Sequence, residues 1–156
     1  RVPEAQRTGN FYLARAEMLE STGKFDEALT DLHRALSASP SRADLYQEVA
    51  GFLGRHGHWN EAIQLLNRAE SSLPENPKIL LLKAEMLDFA HRSNEAEQVL
   101  KQIHNRWPEW APAYVTYGVL LEREKRTIEA KAELDTALGL GVPESAISSE
   151  RLRLGS

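Results

Sequence analysis

Apolar residues recur at three- and four-residue spacing along most of the chain. Leu13, Ala16 and Leu19 follow this spacing in one stretch, and Ala28 and Leu32 follow it in the next. Such a period places the apolar side chains on one face of a helix, whereas a half-buried strand would alternate apolar and polar residues. No segment alternates convincingly. The pattern therefore predicts α-helices throughout.

Short breaks that carry glycine or proline interrupt the helical pattern. They fall at residues 22–24, 39–41, 56–58 and 74–77, where the backbone is expected to turn. Each predicted helix is therefore short. Because isolated helices of about 12 to 15 residues are marginal in water, these helices are expected to be stable only when stacked on their neighbours.

The pattern repeats with a period of 34 residues and no insertion between units. Small residues fill eleven of twelve positions in three columns, and larger residues fill the columns beside them. Small side chains where helices cross allow close approach of two backbones. The columns are Tyr12, Tyr46, Leu80, Tyr114; Ala16, Ala50, Ala84, Gly118; Leu19, Leu53, Leu87, Leu121; Ala28, Ala62, Ala96, Ala130; Leu32, Leu66, Leu100, Leu134; and Ala35, Ala69, Ile103, Ala137.

These columns and Pro40, Pro74 and Pro108 near the ends of the units resemble the tetratricopeptide repeat, a helix-turn-helix unit of 34 residues. The sequence departs from the family pattern at three positions of the repeat. The residues concerned are Arg15 and Lys83 in place of leucine, His91 and Lys125 where the first two units have the turn glycines Gly23 and Gly57, and Ser93 and Thr127 in place of the aromatic residues Phe25 and Trp59.

The resemblance implies an all-α fold, an α-α superhelix or solenoid of four helix-turn-helix units with a C-terminal capping helix. The expected units are 9–42, 43–76, 77–110 and 111–144. Residues 1–8 are expected to be a tail or part of a preceding helix. A polar closing helix fits residues 145–156, which carry Ile147, Leu152 and Leu154.

Composition and charge disfavour some classes of function. The chain of 156 residues has a net charge of -4 and no cysteine. Mild acidity argues against a nucleic-acid partner, which would need clustered Lys and Arg, and no apolar run is long enough for membrane insertion. The start at Arg1, without Met, favours a piece excised from a longer protein. The compartment stays open, because both cytoplasm and periplasm fit.

Candidate catalytic and metal-binding residues are few. His56 and His58 flank Gly57, but no cysteine, HExxH motif or nearby third ligand accompanies them, so a solvated turn is favoured over a metal site. Acidic pairs such as Glu17 with Glu20 are interpreted as a solvated stripe, since no pocket is predicted that would separate their pKa values. Nucleotide-binding and serine-hydrolase motifs are absent. We therefore expect no enzyme activity and no cofactor.

Two tryptophans flank Pro108 at a joint between units. Trp107 and Trp110 could fill the gap between successive hairpins or form an exposed aromatic ledge. The first alternative is favoured.

In tetratricopeptide arrays the first helices of successive units line a concave surface, and the resemblance places a mixed apolar and acidic groove there. A partner with apolar anchors and basic flanks would fit it. The predicted groove residues are Leu13, Glu17, Glu20, Gln47, Glu48, Gly51, Arg55, Lys78, Leu81, Glu85, Asp88, Phe89, Val115, Val119 and Glu122.

Some members of the family grip the C-terminal carboxylate of chaperones with Lys, Asn and Arg side chains on this face. The corresponding residues here are Leu13, Glu17, Glu48, Lys78 and Leu82, of which only Lys78 matches. A peptide carboxylate would meet like charge at Glu17 and Glu48. A chaperone-tail partner is therefore disfavoured.

The sequence thus predicts a non-catalytic scaffold that binds a peptide or helix of another protein. Two alternatives stay open. Exposed apolar ends of the array could pair two copies in a weak homo-oligomer, or the chain could be an accessory domain of a larger enzyme.

Overall fold

The computed structural model describes residues 4–155, and the side chains of residues 7–155. This part of the chain consists of nine α-helices and no strands. The helices are α1 (Glu4–Ser21), α2 (Phe25–Ala38), α3 (Ala43–Arg55), α4 (Trp59–Ser72), α5 (Pro77–Phe89), α6 (Ser93–Arg106), α7 (Ala111–Arg123), α8 (Thr127–Gly139) and α9 (Glu144–Leu154).

The chain divides into two compact units between Ala90 and His91. In the first unit α1 packs on α2, α2 on α3, α3 on α4, and α5 on both α3 and α4. In the second unit α7 packs on α6, α8 and α9. The division falls in the turn between α5 and α6, within the segment 77–110 that the sequence predicts as the third repeat. The repeat boundaries themselves stay a prediction.

Small residues occupy the helix contacts, as the period predicts. Ala28, Ala62 and Ala96 are buried. At Gly118 a β-carbon would lie 2.6 Å from Leu134 Cγ, so the backbone of α7 approaches α8 more closely than alanine would permit. The predicted all-α repeat architecture is confirmed.

The turns between paired helices keep one geometry even where glycine is missing. Gly23 and Gly57 have φ of 76° and 77°, and His91 and Lys125 adopt φ of 59° and 62° at the same place in the repeat. Residues with a β-carbon rarely adopt this left-handed conformation. In the second unit α7 packs on α8, and this packing holds Lys125 in the left-handed conformation.

Ion pairs accommodate the two charged residues that replace the family's leucine. The Arg15 guanidinium on α1 forms a two-pronged ion pair with the buried carboxylate of Asp31 on α2. Lys83 Nζ on α5 lies 2.9 Å from Glu70 Oε2 on α4. In both places an ion pair between two helices replaces the apolar contact that leucine would make.

The ends of the described chain differ from the predicted segments 1–8 and 145–156. Residues 4–8 belong to α1, which therefore begins before the predicted first unit; residues 1–3 lie outside the described residues, as does residue 156. Helix α9 packs on α7 and buries Ile147 and Leu154, whereas Leu152 is exposed. The closing helix is thus present, and two of its three predicted apolar residues are in the core.

Candidate partner-binding surface

An ion-pair cluster joins the first helices of the first two hairpins. Glu20 on α1 accepts hydrogen bonds from Arg55 on α3 at 3.0 and 3.2 Å, and the His56 ring nitrogen lies 3.1 Å from the same carboxylate. The Arg55 guanidinium and then the His56 ring hold the pKa of Glu20 below its usual range. Two predicted groove residues, Glu20 and Arg55, therefore satisfy each other and leave little net charge.

The remaining charge on this face comes from three exposed side chains. Glu17 on α1, Glu48 on α3 and Lys78 on α5 are exposed. The apolar Leu13 and Leu81 are half-buried, and they share one column of the repeat with Gln47. The acidic stripe expected from the sequence is therefore narrower than predicted, and it rests on Glu17 and Glu48.

Glycines on α3 serve two different purposes. A side chain at Gly51 would meet only the Arg55 guanidinium, at 3.4 Å, so the surface beside half-buried Gln47 is open. At Gly54 a β-carbon would lie 3.0 Å from Met86 Sδ on α5. Gly54 is therefore a packing residue, and it leaves no room for a ligand.

Two acidic residues of the predicted groove are buried. Glu85 is 4% exposed and Asp88 is also buried, while the adjacent Phe89 is half-buried. A buried carboxylate cannot contact a ligand without rearrangement. The sequence pattern indicated surface charges at both positions. A spacing of three residues shows that two side chains share a helix face, but it does not show whether another helix covers that face.

Val115, Val119 and Glu122 belong to the second unit and are not open surface residues. Val115 packs in a cluster with Ile147 of α9, and Val119 is fully buried. Glu122 accepts hydrogen bonds of 2.7 and 2.8 Å from Arg151 of α9, which lowers its pKa. The expectation that these three side chains face a ligand is therefore corrected, since α9 covers Val115 and pairs with Glu122.

Sequence reasoning missed how α9 is held, although a signal was present. Ile147 and Leu154 follow Ala113 and Leu120 by one period of 34 residues, so α9 continues the repeat as a further first helix. Thr116 donates a hydrogen bond of 2.8 Å to Glu150. Burial raises the pKa of Glu150, but hydrogen bonds from Arg153 and Thr116 outweigh it and the pKa is lowered.

Titratable side chains meet between α6 and α8 in the second unit. Arg126 binds Glu97 at 2.8 Å, and hydrogen bonds from Arg126 and Lys101 lower the pKa of Glu97 to about 2. Burial raises the pKa of Tyr117 beside it. The His104 ring stacks on Tyr114 at 4.0 Å, and burial lowers the pKa of His104. These groups tie the helices of the second unit together.

The histidines beside Gly57 contact different carboxylates. The His56 ring packs between Phe25 and Phe52 at 4.4 and 4.6 Å, and His58 Nδ1 lies 3.0 Å from Glu61. His56 is therefore half-buried rather than part of a solvated turn. No group of three or more His, Asp or Glu residues among those described could hold a metal ion.

The two tryptophans next to Pro108 are half-buried. Trp107 follows the last residue of α6, and the Arg106 guanidinium lies 4.3 Å from its ring; Trp110 precedes α7. Tyr114 donates a hydrogen bond of 2.8 Å to the carbonyl of Pro108. Their packing role stays a prediction. None of the helices in the described part of the chain is long and apolar enough to cross a membrane.

Comparison with known proteins identifies the repeat. The family model described as tetratricopeptide repeat matches residues 19–86. No curated protein matches the sequence. TTC0263, a thermophilic tetratricopeptide repeat protein of Thermus thermophilus, is 23% identical over 94% of this chain and 80% of its own, with a TM-score of 0.70. Residues 19–86 thus carry the tetratricopeptide repeat, and the likeness to TTC0263 shows that the described chain has the same fold.

Other solved structures show the same fold at lower identity. A MamA structure, MSR-1 C2, is 18% identical over 85% of this chain and 76% of its own, with a TM-score of 0.62. MamA from Desulfovibrio magneticus RS-1 is 14% identical over 85% of this chain and 75% of its own, with a TM-score of 0.66. Such likenesses establish the architecture, which is an all-α helical repeat.

Proposed function

We propose that this helical repeat binds a segment of a partner protein, without catalysing a reaction, on the face of α1, α3 and α5 in the first unit. We name this face the first-helix surface and define it by Leu13, Glu17, Gln47, Glu48, Gly51, Lys78 and Leu81. The partner segment carries an apolar anchor and flanking basic residues.

The observation that carries the proposal is the ion pair between Glu20 and Arg55. The pair joins α1 to α3 with a distance of 3.0 Å, and each of these helices also carries an exposed carboxylate, Glu17 on α1 and Glu48 on α3. A ligand lying across these helices can therefore meet both acidic side chains at once. Half-buried Leu13 and Leu81 supply apolar area, and the open surface at Gly51 allows close approach of a ligand backbone.

Electrostatics favours a basic flank over an acidic one. Glu17 and Glu48 are exposed and outnumber Lys78, while Arg55 is engaged by Glu20. Rim charges of this kind steer association and set register, whereas buried anchors supply most of the affinity. A ligand with an acidic flank would be repelled.

The test uses an array of peptides with one apolar anchor flanked by either lysines or glutamates. We expect selection of lysine-flanked peptides, and we expect Glu17→Lys together with Glu48→Lys to weaken their binding about tenfold or more, which corresponds to about 1.4 kcal/mol. Binding should also weaken as salt is added, since the charges are exposed.

The matched control is Glu109→Lys, which makes the same change of charge at an exposed position of the second unit. It should leave binding unchanged. Circular dichroism checks that the variants fold. Equal binding by the charge-reversed and wild-type proteins, or selection of glutamate-flanked peptides, would remove the first-helix surface from consideration. Glu85→Lys is unsuitable as a probe, because Glu85 is buried.

A further inference from the structure

A histidine in the second unit has a buried ring nitrogen without a hydrogen-bond partner. The side chain of His104, near the end of α6, is 16% exposed. Its Nε2 is the one buried side-chain nitrogen or oxygen among the described residues that has no partner. Nδ1 lies 3.9 Å from Glu133 Oε2 on α8, which is too far for a hydrogen bond. Because buried polar atoms are nearly always hydrogen-bonded, this exception needs a physical explanation.

Aromatic contacts hold the His104 ring in place. The ring stacks on Tyr114 of α7 with 4.0 Å between the ring centroids and 11° between the ring planes, and the Tyr117 ring lies 5.8 Å away. The Tyr114 hydroxyl in turn donates a hydrogen bond of 2.8 Å to the carbonyl of Pro108. His104 therefore links α6 to α7, and we name the segment 107–110 between these helices the α6–α7 joint.

The repeat places His104 at a position where successive hairpins contact each other. Glu70, one period before His104, pairs at 2.9 Å with Lys83, and Lys83 lies one period before Tyr117. The same contact is thus an ion pair between α4 and α5, and a histidine on aromatic rings between α6 and α7. Lysine and glutamate keep their charges near neutral pH, whereas histidine titrates there.

The protonated ring does not fit this site. A neutral imidazole carries one N–H and can keep it on Nδ1, whereas the protonated ring carries an N–H on both nitrogens. Glu133 can approach Nδ1, but the hydrogen on Nε2 would be buried without an acceptor, which is costly for a neutral group and more so for a charged one. Burial accordingly lowers the pKa of His104, and a backbone interaction with Ala113 opposes this only in part.

The charges around the ring do not compensate for its protonation. Burial, followed by repulsion from Glu129, raises the pKa of Glu133, so acid readily neutralises the carboxylate nearest to the ring. The other titratable groups around this site have partners of their own. They are Glu97, Lys101 and Arg106 on α6, Tyr114 and Tyr117 on α7, and Arg126 and Glu129 on α8.

We propose that the contact between α6 and α7 is pH-dependent: the His104 ring stacks on Tyr114 as the neutral imidazole, and acid displaces the ring into water and loosens the α6–α7 joint. The site shares no residue with the first-helix surface, so either proposal can fail alone.

The sign of the effect follows from the direction of each pKa shift. Because the folded pKa of His104 is lowered, the unfolded chain binds the proton first, and stability is lost as the pH falls from 6.5 toward the folded value. The folded pKa of Glu133 is raised, so its protonation has the opposite sign and stabilises the folded chain. Variants at the two positions therefore separate the two effects.

Tryptophan fluorescence and NMR test the proposal. In a Trp59→Phe background, Trp107 and Trp110 at the ends of the α6–α7 joint are the only tryptophans of the chain. We expect their emission to shift to longer wavelength as the pH falls from about 7.5 to about 5.5, a range that brackets the usual pKa of histidine. The His104 ring, followed by its NMR chemical shift, should titrate below 6.5 with the same midpoint.

His104→Phe keeps an aromatic ring against Tyr114 but cannot be protonated, so it should abolish the shift in emission. Glu133→Gln removes the carboxylate nearest to the ring and should move the midpoint to lower pH. The matched control is His33→Phe, since His33 is exposed on α2; it should leave the response unchanged. Circular dichroism checks that each variant folds.

An emission that stays constant in the Trp59→Phe background, or a shift that persists after His104→Phe, would overturn the proposal. The NMR titration needs no substitution at His104, and a midpoint at or above 6.5 would overturn it as well.

Discussion

Single residues in this helical repeat show which parts of the pattern depend on side-chain size and which depend on the backbone conformation. Ala62 and Gly118 are buried because a larger side chain would separate two helices. The turn position instead depends on φ, and His91 and Lys125 occupy it with positive φ although they are not glycine. The small residues at the helix contacts could be predicted from the sequence in every repeat. The left-handed turn could be predicted only where glycine was present.

Replacing Lys125 by glycine should stabilise the protein. Lys125 has a φ of 62°, and its side chain is exposed. Left-handed backbone costs a residue with a β-carbon about 1 to 2 kcal/mol, part of which is offset by the greater freedom of glycine in the unfolded chain. We expect Lys125→Gly to raise the free energy of unfolding by about 0.5 to 1 kcal/mol in urea titrations. Gly23→Ala, the reverse change in the first turn, should lower it.

Between helices, ion pairs make the contact at positions where the repeat lacks its usual apolar residues. Asp31 is 1% exposed and lies between Arg15 and Arg34, at a column where the next two units have Leu65 and Val99. The sequence identified Arg15 and Lys83 as departures from the family pattern. It could not identify their partners, because Asp31 and Glu70 are 16 and 13 residues away and only the packing selects them.

Removing one member of the Arg15–Asp31 pair should cost more than removing both. Arg15→Leu leaves the buried Asp31 carboxylate with the contact to Arg34 at 3.1 Å, and a buried carboxylate that loses a partner destabilises the folded chain. Arg15→Leu combined with Asp31→Leu restores an apolar contact of the kind seen in the family. We expect the double variant to be about as stable as wild type in chemical denaturation. Equal losses in single and double variants would contradict this account.

The pair between Glu97 and Arg126 should make the second unit sensitive to acid. Hydrogen bonds from Arg126 and Lys101 lower the pKa of Glu97 from 4.5 to about 2. Since the folded pKa is depressed, the stabilisation is present above the unfolded value of 4.5 and is lost as pH falls toward 2. The unfolded chain binds the proton first in this window, which steepens the loss of stability by up to about 1.4 kcal/mol per pH unit.

Glu97→Gln provides the measurement. Its free energy of unfolding should be lower than that of wild type at neutral pH, and the two should converge as pH falls from 4.5 toward 2, as followed by chemical denaturation at each pH. Glu109→Gln is the control, because Glu109 is exposed. Parallel curves for wild type and Glu97→Gln across this window would show that the pair contributes nothing.

For the whole molecule, the first and last described helices differ in the burial of the same repeat columns. Helix α9 continues the period and buries Ile147 and Leu154, whereas Phe11 and Met18 in the same columns of α1 are exposed. The sequence predicted four repeats and a closing helix from local period alone. It could not predict that the closing helix would cover Val115 and engage Glu122, because that depends on how the helix seats on α7.

Removing α9 should therefore destabilise the second unit and expose its core. A chain ending at Val142 loses Ile147 and Leu154 and uncovers Val115. Burial of a large apolar side chain contributes about 1.5 to 3 kcal/mol, so two such losses should lower the free energy of unfolding by about 3 to 6 kcal/mol. Thermal unfolding measures this loss, and light scattering should detect association through the uncovered face.

Substitutions on the two faces of α9 test whether its buried side chains stabilise the second unit. Leu152 is exposed on α9, so Leu152→Ser should leave stability within about 0.5 kcal/mol of wild type. Ile147→Ser, on the buried face of the same helix, should reproduce much of the effect of truncation. If both substitutions were neutral, the buried repeat columns of α9 would not be what holds this helix on α7.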